Sequence, residues 1–172
     1  PPIFIDGSEE VNAYTRGMFS PIIVLKKGLV DIMNDGELKF VIGHELGHIR
    51  LFHFTIRTLF DSSITRVPLI LYLPLLVFKV LFLNGKMSRS FEHSADRAGL
   101  HACGNLEDAV SCMIKLKTGQ KEIDRSKVDQ AISGNLDIDD QGNFFSDLLS
   151  THPDFEDRVR EMVRYSNSKK MY

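Results

Sequence analysis

Hydrophobic positions come first in short β-prone runs, Ile3 to Ile5, Asn12 to Thr15 and Ser20 to Leu25, punctuated by Asp6-Gly7 and Arg16-Gly17. These runs predict a small sheet at the start of the chain. From Leu38 the spacing lengthens, and Leu38, Val41, Ile42, Leu46 and Ile49 recur at the three- and four-residue intervals of a helix face. Asn34-Asp35-Gly36 supplies the turn and N-cap for that helix. Val67 to Leu83 then forms the most apolar stretch, 17 residues whose only charge is Lys79, broken by Pro68 and Pro74. Ser88 to Cys103 has a helical pattern ending at Gly104, and Asn105 with Asp108 resembles a cap for a second helix reaching Thr118-Gly119. Asp124 to Asn143 is polar and weakly patterned, consistent with a short helix followed by a loop. His152-Pro153 opens a last helix, with Asp154 and Glu156 complementing its dipole and Val159, Met162 and Val163 facing inward. The pattern predicts an α+β fold, mainly helical with a small N-terminal β-sheet. It is read as one domain over 1–172 with an apolar insert at about 67–83.

An apolar fraction of 43% and a charged fraction of 26% argue against disorder and fibrous classes. A net charge of -2 and no basic run longer than two residues give no basis for nucleic acid binding. Cys103 and Cys112 form neither a CxxC pair nor a disulfide framework, which fits a reducing, cytoplasmic compartment and core-filling thiols. The chain starts at Pro1 with neither a basic nor an apolar leader pattern, and reads as a piece of a longer protein.

The chemistry concentrates in His44-Glu45-Leu46-Gly47-His48. Histidines four apart project from one helical face and can bind one ion, and the motif is the zincin signature for a single zinc. Two hydrogen-bonded core histidines are the bland alternative. Glu45 is poorly placed to share that ion, but it can reach a water beside it and act as general base and then acid. Gly47 leaves room beside the metal or for a crossing backbone, where a purely structural helix would favour alanine by roughly 1 kcal/mol. A catalytic zinc needs a third protein ligand. The remaining candidates are His53, His93, His101 and His152, and Glu92 with Asp96, a Glu-x-x-x-Asp pair beginning 44 residues past His48. In the carboxylate arrangement Glu92 coordinates and Asp96 orients a ligand histidine; His93 competes as ligand, and a solvated acidic face is the structural reading.

The segments Asn12-Ala13-Tyr14, Ile22-Ile23-Val24 with Gly28-Leu29, the His-Glu-Leu-Gly-His helix, Glu92-x-x-x-Asp96 with Ala95, and Thr151-His152-Pro153 with Arg158 occur in the order of one family. Across nearly its whole length the chain resembles the HtpX and CAAX-prenyl-endopeptidase family of zinc metallopeptidases, of the gluzincin clan. The resemblance implies Glu92 as the third ligand, with His152 donating to the oxyanion of a tetrahedral intermediate and Arg158 bracing that region through a carboxylate. His53 and His101 have no place in the family pattern and are read as structural. The implied activity is endopeptidase cleavage in membrane-protein quality control or precursor processing, and the edge strand of the predicted sheet, bordering the cleft, would let an extended or unfolded polypeptide add to it by β-augmentation. A catalytically inactive zinc scaffold and a membrane-interaction module are the competing readings; an intact Glu45 speaks against the first.

The resemblance also places membrane-associated helices where Val67 to Leu83 lies. Seventeen residues is the lower limit for a span. Arg66, Lys86 and Arg89 can snorkel at its ends, whereas the two prolines and Lys79 favour a broken or peripheral insertion. A membrane-associated protein with its catalytic domain in a reducing compartment is the resulting expectation, and a buried helical hairpin is the alternative.

Overall fold

Ile23, Val24 and Leu25 form the covered centre of a three-stranded sheet, which explains why this run is uninterrupted by polar residues. The computed structural model describes residues 1–17, 20–51, 86–135 and 155–169. In it, β1 (Ile3–Asp6) pairs parallel to β3 (Ile22–Lys26), with Ile3 opposite Ile23, and β2 (Ala13–Arg16) pairs antiparallel to β3, with Thr15 opposite Ile23. The order β1-β3-β2 leaves β2 at one edge. Along β2, Ala13 and Thr15 are half-buried while Tyr14 and Arg16 are exposed, the two-residue alternation of a strand with one covered face.

α1 (Lys27–Ile32) follows β3 directly; at six residues it is too short for its apolar spacing to declare a helix. α2 (Asp35–Arg50) begins in a complete capping box: Asn34 Oδ1 accepts from the Glu37 backbone N–H at 2.8 Å, and the Glu37 carboxylate accepts from the Asn34 N–H at 2.7 Å. Glu37 is 1% exposed and does more than cap. Its carboxylate also accepts from Lys115 Nζ at 2.8 Å and Ser111 Oγ at 2.6 Å, so one buried, fully partnered anion ties the start of α2 to α4 (Leu106–Thr118).

α3 (Lys86–Cys103) crosses α2, and α5 (Arg125–Ser133) and α6 (Phe155–Lys169) complete the described helices. Asn105 caps α4 through the Glu107 N–H at 2.9 Å, whereas Asp108 lies against Gly36 in the first turn of α2, where a carboxylate favours the positive helix end. Ile23, Leu29, Phe40, Val110, Ile114 and Met162 lie in one core shared by sheet and helices. The fold is α+β and mainly helical, with its sheet at the N-terminal end. Cys112 is buried in that core and burial pushes its thiol well above the ordinary range; Cys103 is half-buried, and both are free thiols. Val67 to Leu83 lies outside the described residues, among which no helix is long and apolar enough to cross a membrane.

The covered face of α2 departs from the sequence reading. Phe40, Val41, Gly43, His44, Glu45 and Gly47 are buried, while Leu46, assigned to the inward set, is 38% exposed. Glycines rather than aliphatic side chains mark the contact with α3. A Cβ on Gly43 would lie 2.5 Å from Ala102 Cβ, and one on Gly47 would lie 2.9 Å from Ala95 Cα and 3.0 Å from Ala98 Cβ. Of the two readings of Gly47, the crossing backbone is therefore the one observed. Gly47→Ala, which would stabilise an isolated helix, should instead destabilise this protein by about 1–3 kcal/mol through overpacking. Thermal unfolding should show a fall in Tm of about 2–12 °C; a rise would mean that α2 and α3 do not meet this closely.

Candidate metal centre

One turn of α2 separates His44 from His48, and their Nε2 atoms face each other at 3.0 Å with the rings nearly perpendicular at 78°. The close passage of α3 over Gly43 and Gly47 brings Glu92 to the same point. Glu92 Oε2 lies 3.7 Å from His44 Nε2, and Oε1 lies 3.5 Å from His48 Nε2. One donor atom from each of the three residues falls within 4.8 Å of the others. Ligands at zinc bond lengths in a tetrahedral shell stand about 3.3 Å apart, close to the 3.0 Å between the two imidazole nitrogens and to the 3.5 and 3.7 Å by which each faces one oxygen of the Glu92 carboxylate. Two imidazole nitrogens and a carboxylate are also a donor set that zinc accepts. The residues therefore fit the metal that the motif suggests.

The free side of each imidazole decides whether it can serve. His44 Nδ1 donates to Asp96 Oδ1 at 2.9 Å, which leaves the Nε2 lone pair directed at the cluster. Asp96, one turn beyond Glu92 and 1% exposed, is itself clamped by Arg158 of α6: Nε donates to Oδ2 at 2.7 Å and Nη2 to Oδ1 at 2.6 Å. Arg158 Nη1 also stands 3.5 Å from Glu92 Oε2. Burial alone would raise the Asp96 carboxyl, yet the Arg158 guanidinium and His44 hold it well below the usual carboxylate range. Burial opposes charge on His44, and the carboxylates of Asp96 and Glu92 outweigh it, so that imidazole is raised above its ordinary value. The carboxylates that favour a proton there would equally favour a metal cation.

Glu45 is 8% exposed and stands outside the donor cluster. Its Oε2 accepts from the Thr15 hydroxyl at 2.7 Å, linking the motif helix to the edge strand. A cavity of about 70 Å³ opens alongside, lined by Asn12 and Ala13 of the strand side and by Phe40, Val41, Glu45 and Met113, leaving room next to the carboxylate.

Among the sequence candidates, the structure brings together His44, His48, Glu92, Asp96, Arg158 and Glu45. His93 turns elsewhere, with Nε2 3.5 Å from Asp157 Oδ2, and His101 bonds Tyr165 Oη at 2.8 Å on an exposed face. His53 and His152 lie outside the described residues. One participant was missed in the sequence, Thr15, whose only signal was an inward position on a short strand.

Two histidines at i and i+4 of one helix with a glutamate after the first are the sequence motif of the zincin class of metallopeptidases. The chain belongs to peptidase family M48, whose sequence model matches residues 2–166. It is 27% identical to a protease HtpX homolog of Bacillus licheniformis, over 94% of this chain and 62% of that protein. It is also 26% identical to one of Dictyoglomus turgidum, over 99% and 66%, and 25% identical to one of Bacillus subtilis, over 94% and 62%. The chain thus spans a little under two thirds of these relatives' length. No solved structure matches.

If Asp96 holds His44 as a metal ligand, Asp96→Ala should weaken zinc affinity by about 10- to 100-fold without abolishing binding, the usual scale of an outer-shell loss. Competition with a chromophoric chelator measures this; native affinity would remove Asp96 from the site.

Proposed function

We propose that this chain is the catalytic domain of a zinc-dependent endopeptidase that hydrolyses peptide bonds in extended or unfolded polypeptide segments. The observation that carries the reading is the convergence of His44, His48 and Glu92 donor atoms within 4.8 Å, with Glu45 buried beside them but not among them. His44, His48 and Glu92 would hold the ion, leaving a position open as catalytic zinc sites do. When bound, zinc would supply Lewis-acid polarisation of the scissile carbonyl and acidify a water. Glu45 takes the proton of the attacking water and returns it to the departing amine, which makes one carboxylate base and then acid. Asp96 and Arg158 keep His44 in the ligating tautomer. His152 is assigned to the oxyanion as a hydrogen-bond donor.

The edge position of β2 next to Glu45 supports main-chain pairing with an extended substrate, a mode that asks little of its side chains. Membrane-protein quality control and precursor processing both suit such a reader of unfolded segments. We assign Val67 to Leu83 a membrane contact, with the catalytic domain on a reducing side. Binding of the purified chain to liposomes, lost on replacing apolar residues of that stretch by serine, tests the assignment.

Cleavage of unfolded casein by the zinc-loaded chain tests the activity itself. Removing the metal with 1,10-phenanthroline should stop cleavage, and added zinc should restore it. Cleavage that persists in the metal-free protein would overturn the proposal, and a zinc-loaded protein inert toward unfolded chains would favour a binding scaffold.

A further inference from the structure

Glu45 receives one hydrogen bond among the described residues, and it comes from outside its own helix: Thr15 Oγ1 donates to Oε2 at 2.7 Å. Thr15 is on β2, the edge strand, thirty residues away in the chain. The alternation of β2 turns Ala13 and Thr15 toward the body of the protein and Tyr14 and Arg16 toward solvent, so the hydroxyl is aimed by the strand itself. Its backbone is held in turn by antiparallel pairing opposite Ile23, a fully buried residue of the central strand.

A glutamate side chain has three rotatable bonds, and a carboxylate serving as base must present one oxygen along a narrow range of approach. With Oε2 engaged by a strand-fixed hydroxyl, rotation about the terminal bonds is restricted and Oε1 is the oxygen left for a proton. Threonine suits this task because its β-branch leaves little freedom at χ1, so the donor is as fixed as the strand that carries it.

From this geometry we infer that Thr15 is a positioning residue for Glu45, setting the carboxylate against the same strand along which an extended substrate pairs. The inference rests on the reading of Glu45 as general base. Base and substrate then share one frame, because a shift of β2 moves both together. The Thr15 hydroxyl is bonded to Glu45 and is not among the metal donors, so the side chain acts through the orientation of Glu45.

The zinc-loaded chain and its Thr15→Val, Thr15→Ser and Glu45→Gln variants, assayed on one fluorogenic peptide with zinc content and Tm measured in the same samples, form the test. Thr15→Val keeps the shape and β-propensity but removes the donor, and should lower kcat by about 10- to 100-fold, the scale of a misplaced reacting group, with KM and zinc content unchanged. Thr15→Ser, which keeps the donor, should retain kcat to within about 3-fold, allowing for the looser χ1 of serine. In a Glu45→Gln background Thr15→Val should add no further loss, since a residue acting only through Glu45 has nothing left to orient. Native kcat in Thr15→Val, when the wild type depends on Glu45, overturns this inference alone. So does a Thr15→Ser variant as impaired as Thr15→Val, or a loss expressed in KM or in Tm rather than in kcat. A wild type whose cleavage survives Glu45→Gln overturns the base assignment and this inference with it.

Discussion

Glu45→Gln should reduce turnover of an unfolded protein by about 10²- to 10⁴-fold, the range lost with a general base, while the bound zinc stays in place. The separation of the two effects follows from position. Glu45 lies between His44 and His48 in sequence but is not one of the clustered donors, and its Oε2 is bonded to Thr15, so no ligand is removed with it. Glutamine has the same length and its amide oxygen can still accept from the Thr15 hydroxyl, so the substitution removes proton affinity with little change in shape. Zinc content by atomic emission and casein cleavage in the same samples decide the matter. Loss of zinc equal to that of a histidine variant would make Glu45 a ligand or a structural support, and native turnover would leave the site without its base.

Glu92→Ala should be as damaging by a different route, weakening zinc binding by more than the roughly 100-fold that marks the upper end of an outer-shell loss. His44→Ala and His48→Ala should do the same, since each supplies one of only three donors among the described residues. Glu92→Ala also leaves Arg158, 3.5 Å from the lost carboxylate, as positive charge near a vacated ligand position, which disfavours a cation further. His93→Ala is the control, because its ring is paired toward Asp157 and should not affect metal content. Zinc retained by Glu92→Ala and lost by His93→Ala would replace the carboxylate with a third histidine and remove the gluzincin assignment.

The spacing of His44 and His48 determined that two imidazoles share a helical face, because four residues make about one turn whatever surrounds the helix. Local signals likewise placed the three strands and most helix ends: Asn34 and Asn105 cap, and Gly104 and Gly119 take the left-handed conformation that ends α3 and α4. These are interactions within a few residues, so a reading of neighbours recovers them. Which third residue meets the histidines was not of that kind. Glu92, 44 positions beyond His48, arrives only because Gly43 and Gly47 let α3 pass within backbone contact, and a separation of that length carries no periodic signal. The inward face of α2 was misread for the same reason: apolar spacing pointed to Leu46, whereas the helix buries its glycines, His44 and Glu45 against α3 and the sheet. Polar side chains can occupy that interior because partners far away in the chain satisfy them, Asp96 for His44 and Thr15 for Glu45. Burying such groups without partners would cost several kcal/mol, so their place inside was decided by tertiary structure rather than by hydrophobic pattern.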